Sequence, residues 1–249
     1  MEEKKENKFG LLGKNISYSF SRGYFTEKFK DLGLNKNEYV NFDLQQIEDF
    51  PAVLKDKNIK GINITIPYKE DVMQYLDTFD KTAKKIGAVN TIKFTKKGKL
   101  KGFNTDVVGF ENSIKPFLKK HHKKALILGT GGASKAIAFA LKKNKIKFKF
   151  VSRKPSSKKQ ISYESLSEKS LKKYTVIINC TPLGTSPDIE KCPNIPYEFI
   201  TNKHLLFDLI YNPEISTFLS KGKENGATIK NGYEMLELQA EESWRIWNM

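Results

Sequence analysis

The chain has 249 residues, of which 39% are hydrophobic and 12% aromatic, and it carries a formal charge of +16 at neutral pH. This composition is typical of a globular protein rather than a disordered one, and the length allows one large domain or two modest ones. No apolar run approaches the roughly 20 residues that a membrane helix needs. The charged start, MEEKKENKFG, lacks the apolar region of a signal peptide, so we expect a cytoplasmic protein.

Cysteine, histidine and arginine content bears on metals and nucleic acids. Cys180 and Cys192 match no zinc spacing, and the histidine pair in KKHHKK is typical of a solvated loop, so we expect no metal. Only Arg22, Arg153 and Arg245 are arginines among 44 basic residues. Because bidentate arginine is the commonest device for reading bases, we expect no nucleic-acid partner. Non-specific binding driven by the charge stays an alternative.

Short apolar runs predict strands along the whole chain, with helical stretches between them. The first set is FGLLG (9–13), EYVNF (38–42), KGINITI (60–66) and AVNTIKF (88–94); the second is ALILG (125–129), KFKFVS (147–152), TVIINC (175–180), LLFDLI (205–210) and ATIK (227–230). Strands alternating with helices such as 134–144, and apolar on both faces, predict parallel sheets and an α/β fold. An amphipathic helix and a basic linker near 103–123 divide the two sets and indicate a second sheet.

Polar side chains with precise chemistry cluster where the first set of strands should end. These residues are Ser19, Ser21, Asn63, Thr65, Lys69, Asn90, Asn104, Thr105 and Asp106. In an open α/β sheet the carboxyl ends of the strands face the ligand, and in an extended segment the two serines would face one way. Hydroxyls, amides, an amine and a carboxylate there suit a small polyhydroxylated acid. Any one serine or asparagine alone is more often a turn or cap.

A glycine-rich turn in ALILGTGGASKAIAFAL predicts a dinucleotide site. Gly129 and Gly131 occupy the first two positions of the G-x-G-x-x-G pattern, while Ser134 stands in the third. After the next strand comes VSRKPSSKK, which has Arg153 and no acid. Because an acid would repel a 2′-phosphate that arginine binds bidentately, this favours NADP over NAD. The alternative is an ordinary basic loop after a core strand.

Together these segments resemble the shikimate dehydrogenase family nearly end to end. The motifs are FGLLGKNISYSFS, GINITIPYKED, GAVNT, GFNTDVVGF, LGTGGASKA, NCTPLGTSP, FDLIYNP and GYEMLELQA. The resemblance implies an NADP-dependent oxidoreductase of the shikimate pathway, which leads to chorismate and the aromatic amino acids. It also implies two domains: an α/β substrate domain of residues 1–105 plus 234–249, and a Rossmann-like doubly wound NADP-binding domain of residues 106–233.

The resemblance also assigns roles to residues. It implies that Lys69 and Asp106 are the catalytic pair, that Ser19 and Ser21 hold the substrate carboxylate with Tyr211 nearby, and that Thr65, Asn90 and Gln239 bind ring hydroxyls. For NADP it implies Gly129, Gly131, Gly132 and Ala133 at the pyrophosphate, Ser152 and Arg153 at the 2′-phosphate, and Thr181, Leu183 and Gly232 at the nicotinamide. The chain departs from the common pattern at Tyr18, Arg22, Ser152 and Thr185.

Two other functions stay open at this stage. One is a quinate/shikimate dehydrogenase that uses NAD, which Arg153 argues against. The other is an inactive paralogue that binds shikimate or NADP, which the presence of both Lys69 and Asp106 disfavours. The expected partner is the small-molecule substrate, with the protein as a monomer or homodimer.

Overall fold

The computed structural model describes residues 6–17 and 19–249. Contacts divide the chain into two compact units, unit 1 with Met1–Thr105 and Ala240–Met249, and unit 2 with Asp106–Gln239. The sequence placed the return to the first unit at residue 234, whereas the division by contacts falls at Ala240, inside one continuous helix. The assignment of substrate and cofactor to the two units stays a prediction.

The described residues form short strands and helices in alternation. The strands are β1 (Asn7–Gly13), β2 (Asn37–Asp43), β3 (Ile59–Ile64), β4 (Thr78–Phe79), β5 (Thr91–Phe94), β6 (Leu100–Phe103), β7 (Lys124–Leu128), β8 (Lys147–Val151), β9 (Gln160–Ile161), β10 (Val176–Asn179), β11 (Leu205–Asp208) and β12 (Thr228–Lys230). The α-helices are α1 (Phe20–Asp31), α2 (Phe50–Val53), α3 (Lys81–Ile86), α4 (Asp106–Ile114), α5 (Gly132–Lys143), α6 (Glu168–Lys173), α7 (Thr217–Glu224) and α8 (Tyr233–Trp247). The α/β class is confirmed.

The sheet of unit 1 is mixed rather than fully parallel. Its order is β2-β1-β3-β5-β6-β4, and β5 runs antiparallel to both β3 and β6. The expectation of parallel strands was wrong here because only residues 95–99 join β5 to β6, with Gly98 at a φ of 72°. A link of that length closes a hairpin, whereas a parallel pair needs a crossover of about a dozen residues or more.

The sheet of unit 2 is parallel throughout. Its order is β12-β11-β10-β7-β8-β9, so the chain builds outward from β7 in one direction and then from β10 in the other. This is the doubly wound order of dinucleotide-binding folds, with its switch point between β7 and β10. The predicted Rossmann-like domain is confirmed, and the switch point marks where a dinucleotide would bind.

The end of α8 completes the core of unit 1. Trp247 packs against Phe9 and Phe25, and its indole N–H donates to the carbonyl of Ile92 at 3.0 Å. A Cβ on Gly61 would lie 2.4 Å from the Trp247 ring, so glycine lets the helix lie directly on β3. Residues far apart in sequence therefore form one core.

Two buried histidines of unit 2, His122 and His204, lie just before the starts of β7 and β11 and make hydrogen bonds to the backbone. His122 accepts from the amide of Lys119 at 3.0 Å and contacts the carbonyl of Lys203, while His204 contacts the carbonyl of Leu171. Burial lowers the pKa of both His122 and His204. Across residues 6–17 and 19–249 we find neither a cluster of metal-binding side chains nor a helix with the length and apolarity to cross a membrane.

Candidate active site

The two serines expected to hold a carboxylate lie at the start of α1. The sequence predicted an extended segment here, which was wrong: Ser19 caps the helix, accepting from the amide of Ser21 at 3.2 Å, and Ser21 is already helical. A hydroxyl cap satisfies free N–H groups of the first turn, and this competes with extension. The first turn holds no acidic residue. Because a helix N-terminus favours anions, this position suits a carboxylate.

Thr65 and Lys69 follow β3 directly. The strand ends at Ile64, two residues earlier than the sequence suggested, so Thr65 is the first residue beyond it. Lys69 is half-buried, and its carbonyl accepts from the amide of Val89 at 2.7 Å. The amide of Ile64 in turn donates to the carbonyl of Asn90 at 2.8 Å. These two backbone bonds bring Thr65, Lys69 and Asn90 together.

Asn90 and Thr105 are locked to each other. The Asn90 side-chain oxygen accepts from the Thr105 amide at 2.7 Å, and its amide group donates to the Thr105 hydroxyl at 2.9 Å. Asn90 is 2% exposed and Thr105 1%. Asp106, the next residue, is buried and opens α4. Asp106, the proposed catalytic carboxylate, is thus the residue directly after a backbone position that Asn90 fixes.

Sequence reasoning missed a buried polar network that lies next to Asn90. Ser243 on α8 accepts from the Asn63 amide group at 2.9 Å and shares a hydrogen bond of 2.8 Å with Thr91. Tyr39 donates to Asn63 at 2.8 Å, and burial raises its pKa, against a hydrogen bond from Ser21 that lowers it. The signal in the sequence was Asn63 in GINITI, a polar residue inside an apolar strand.

Gln239 and Tyr211 lie in unit 2. Gln239 is half-buried on α8, where its side chain donates to the Leu236 carbonyl at 2.9 Å. The helix α4 approaches α8 closely there: a Cβ on Gly109 would lie 2.5 Å from the Met235 carbonyl oxygen and 3.2 Å from Gln239. Tyr211 is half-buried, three residues after β11 ends.

The glycine turn lies at the switch point of the parallel sheet. β7 ends at Leu128, Gly129 has a φ of 101°, and α5 starts at Gly132 with Gly131 as a cap that offers no side-chain bond. Apart from its chain neighbours, no atom of the described residues lies within 4 Å of a Cβ built on Gly131, so the space before the helix is open. The Ser134 hydroxyl donates back to the Gly131 carbonyl at 2.6 Å. That bond explains how serine replaces the third glycine.

These residues suit a dinucleotide. A Cβ on Gly129 would lie 3.2 Å from Thr181 Cγ2, so the turns after β7 and β10 are neighbours, as a switch-point site requires. Ser152 follows β8 and accepts from the Lys154 amide at 3.2 Å, while Arg153 is exposed. Open backbone N–H groups at Gly132 and Ala133 are suited to a pyrophosphate, and an exposed guanidinium to a 2′-phosphate.

The residues expected at the nicotinamide are held by hydrogen bonds to neighbouring side chains and backbone groups. Both the amide and the hydroxyl of Thr181 donate to the Asn179 side-chain oxygen, at 3.0 and 2.6 Å. Leu183 follows in the same turn and donates to the Thr181 hydroxyl at 3.3 Å. Gly232 donates to the Ile210 carbonyl at 3.0 Å.

The residues at which the chain departs from the common family pattern differ in solvent exposure. Tyr18 lies outside the described residues. Arg22 is exposed on α1. Thr185 is half-buried and donates to the Pro182 carbonyl at 3.1 Å, which closes the turn after β10.

Comparisons with known proteins identify related sequences and structures. A model of the shikimate dehydrogenase substrate binding domain matches residues 11–92. A curated relative from Clostridium botulinum (strain Hall), named shikimate dehydrogenase (NADP(+)), is 40% identical, with 96% of this chain and 95% of the relative covered. The crystal structure of shikimate dehydrogenase from Aquifex aeolicus is 33% identical with a TM-score of 0.88, over 100% of this chain and 94% of that one.

A further solved relative has both ligands. It is shikimate 5-dehydrogenase from Thermus thermophilus in complex with NADP(H) and shikimate, 29% identical with a TM-score of 0.84, covering 97% of this chain and 93% of that one. The similarity thus spans both units rather than the first alone. The chain belongs to the shikimate dehydrogenase family, as its sequence motifs predict.

Proposed function

We propose that this member of the family catalyses the reversible NADPH-dependent reduction of 3-dehydroshikimate to shikimate, on the way to chorismate. The observation that carries the proposal is the grouping at the end of β3. Two backbone hydrogen bonds, from Val89 to Lys69 and from Ile64 to Asn90, join the segment that carries Thr65 and Lys69 to the segment that carries Asn90. A half-buried amine beside a fixed amide and a hydroxyl suits a substrate that has a ketone and ring hydroxyls.

Recognition of the substrate rests on complementary polar groups. Ser19 and Ser21, at the N-terminus of α1, would bind the carboxylate, which gains from the positive end of the helix dipole. Thr65, Asn90 and Gln239 would bind the ring hydroxyls, and Tyr211 would lie near the carboxylate. Asn90 can bind a hydroxyl in only one orientation because Thr105 already fixes its oxygen.

Proton transfer falls to Lys69. The chemistry that NADPH would supply when bound is a hydride for the ketone carbon. As negative charge develops on the ketone oxygen, the Lys69 ammonium stabilises it and donates its proton there. Asp106 would orient Lys69 and a substrate hydroxyl, and its carboxylate balances the positive charge. In the reverse direction, Lys69 accepts the proton of the shikimate hydroxyl.

The residues of unit 2 would hold the cofactor. Gly129, Gly131, Gly132 and Ala133 would hold the pyrophosphate, Ser152 and Arg153 the 2′-phosphate, and Thr181, Leu183 and Gly232 the nicotinamide. The open N-terminus of α5 and the exposed Arg153 support this assignment. The missing acid after β8 supports NADP over NAD.

The test is an absorbance assay at the NADPH wavelength with four combinations: NADP or NAD, each with shikimate or quinate. Turnover with NADP and shikimate well above the other three is the expected result. A preference for NAD or quinate would support the quinate/shikimate dehydrogenase alternative instead. Binding of shikimate without any absorbance change would indicate an inactive paralogue and contradict the proposal.

Location and assembly belong to the same proposal. We place the enzyme in the cytoplasm as a monomer or homodimer that binds no nucleic acid. Light scattering after gel filtration tests the assembly. Filter binding to RNA and DNA at low and physiological salt tests the last point, because binding by charge alone weakens steeply as salt rises.

A further inference from the structure

We propose that Asp208 is a positioning residue that fixes three segments. Two are expected at the nicotinamide, the turn with Thr181 and Leu183 and the segment with Gly232, and the third leads from Tyr211 to α7. Asp208 is the last residue of β11, pairs in register with Asn179 at the end of β10, and is 0% exposed. It lies at the carboxyl end of the sheet, one strand away from the switch point between β7 and β10. This inference rests on the proposed binding of NADP by unit 2.

One oxygen of Asp208 controls two of these segments. Its Oδ1 accepts from the Asn179 amide group at 3.0 Å and from the Ile210 backbone amide at 3.0 Å. Asn179 then holds the turn with Thr181 and Leu183, because its own side-chain oxygen accepts two hydrogen bonds from Thr181 and its amide group reaches the Leu183 carbonyl at 3.4 Å.

Ile210 holds the segment with Gly232. Its carbonyl accepts from the Gly232 amide at 3.0 Å. A Cβ on Gly232 would lie 2.2 Å from the Leu209 carbonyl oxygen and 3.1 Å from that of Asp208, so this segment lies directly on the backbone that Asp208 fixes. Movement at Asp208 is therefore transmitted to Gly232 without an intervening side chain.

The other oxygen reaches the third segment, which leads from Tyr211 to α7. Its Oδ2 accepts from the Ser216 hydroxyl at 2.5 Å, and that hydroxyl caps α7 by accepting from the Leu219 amide at 3.4 Å. All three donors to Asp208 are neutral groups. Burial raises the pKa of Asp208 to about 6, against hydrogen bonds that lower it.

A carboxylate is needed because both of its oxygens accept. Asparagine has nearly the same shape, but its NH₂ group can only donate. Asp208→Asn would therefore set a donor against either Ser216 or the pair of Asn179 and Ile210. One buried hydrogen bond would be lost or reversed, and a polar group would be left without a partner. The cost is large enough to weaken binding of the nicotinamide by roughly tenfold.

The experiment compares two ligands by calorimetry: NADP⁺, and 2′-phospho-ADP-ribose, which lacks the nicotinamide. In Asp208→Asn we expect the Kd of NADP⁺ to rise by about tenfold, while that of 2′-phospho-ADP-ribose stays within about twofold. Amide hydrogen exchange of Thr181 and Ile210 in the cofactor-free protein should accelerate by about tenfold or more. The matched control is His204→Gln, adjacent to the opposite end of β11, which should lower Tm without changing either Kd.

Other outcomes decide against the inference. Equal weakening of both ligands would show general destabilisation of unit 2, and unchanged Kd and exchange would show that Asp208 positions nothing. If Asp208→Asn fails to fold, Ser216→Ala removes one of the three donors and should raise the Kd of NADP⁺ alone, by about threefold. Wild-type protein that binds NADP⁺ but never reduces 3-dehydroshikimate would sink the proposed function and leave this comparison valid; wild type that binds no NADP⁺ would overturn both.

Discussion

Gly109 offers a sharp test of how closely α4 must approach α8. Asp106 opens α4 and Gln239 lies on α8, so the proposed catalytic carboxylate and a proposed substrate ligand depend on this helix pair. In Gly109→Ala the new Cβ would lie 2.5 Å from the Met235 carbonyl oxygen. An ordinary contact between carbon and oxygen is about 3.3 Å, so the helices must separate by roughly 0.8 Å.

The magnitude follows from two opposing effects. Alanine in a helix is better than glycine by about 1 kcal/mol, while overpacking costs about 1–3 kcal/mol. The obstacle is backbone and cannot rotate away, so we expect an overpacking cost of about 2–3 kcal/mol, at the upper end of that range. The net loss is then about 1–2 kcal/mol, with a fall in Tm of about 2–8 °C. Displacement of Gln239 by most of an ångström should raise KM for shikimate by about tenfold.

Gly23→Ala is the matched control. Gly23 is likewise the fourth residue of its helix, α1, but in the described part of the chain nothing beyond its own helix lies within 4 Å of a Cβ built there. This variant should gain helix propensity without strain, so its Tm should rise by about 2–4 °C with unchanged kinetics. Tm from circular dichroism and initial rates suffice for both proteins. If Gly109→Ala were as stable as Gly23→Ala and kept its KM, the close approach would have no role in the site.

Three further predictions concern single side chains. Lys69→Ala should lose about 10²–10⁴-fold in kcat with a far smaller change in KM, whereas Lys60→Ala, exposed on β3, should behave as wild type; near-normal kcat would remove Lys69 from the chemistry. Arg153→Ala should raise KM for NADPH by about tenfold and leave KM for NADH unchanged, so equal effects on both cofactors would contradict contact with the 2′-phosphate. Burial lowers the pKa of His204 in the folded protein. As pH falls below about 6.5, the imidazole is therefore protonated more readily in the unfolded chain than in the folded protein, and wild type loses stability. Urea unfolding should therefore show the stability advantage of wild type over His204→Gln shrinking between pH 7.5 and 5, and a constant difference would refute the shifted pKa.

Local patterns in the sequence were enough to predict the fold of unit 2. A parallel strand, a glycine turn and a helix follow one another within 20 residues, so the position of Gly129 between β7 and α5 could be predicted from spacing alone. The next strand likewise predicts that Arg153 follows β8. The strands of this sheet are buried on both faces and read as continuous apolar runs such as ALILG. The same reasoning did not predict the two-residue strand β9, since Gln160 and Ile161 pair only at the edge.

Long-range contacts explain what could not be predicted in unit 1. Ser243 meets Asn63 across 180 positions of sequence, and no local pattern marks that pair. The stretch SYSFS alternates polar and aromatic residues, which favours a strand, yet Ser19 caps a helix whose Phe25 and Phe29 pack into the core. Tertiary burial of those rings outweighs the local preference for extension.

The position of α8 in the chain has a consequence for biosynthesis. Residues Ala240–Met249 belong to unit 1, although all of Asp106–Gln239 is translated before them. A ribosome that has just finished unit 2 has therefore produced a unit 1 that still lacks Ser243 and Trp247. The Asn63 amide group then lacks the Ser243 hydroxyl as an acceptor, and the Ile92 carbonyl lacks the indole N–H of Trp247 as a donor. Every residue of the unit 2 sheet has been synthesised by then, whereas the core of unit 1 is complete only once Ala240–Met249 have been added.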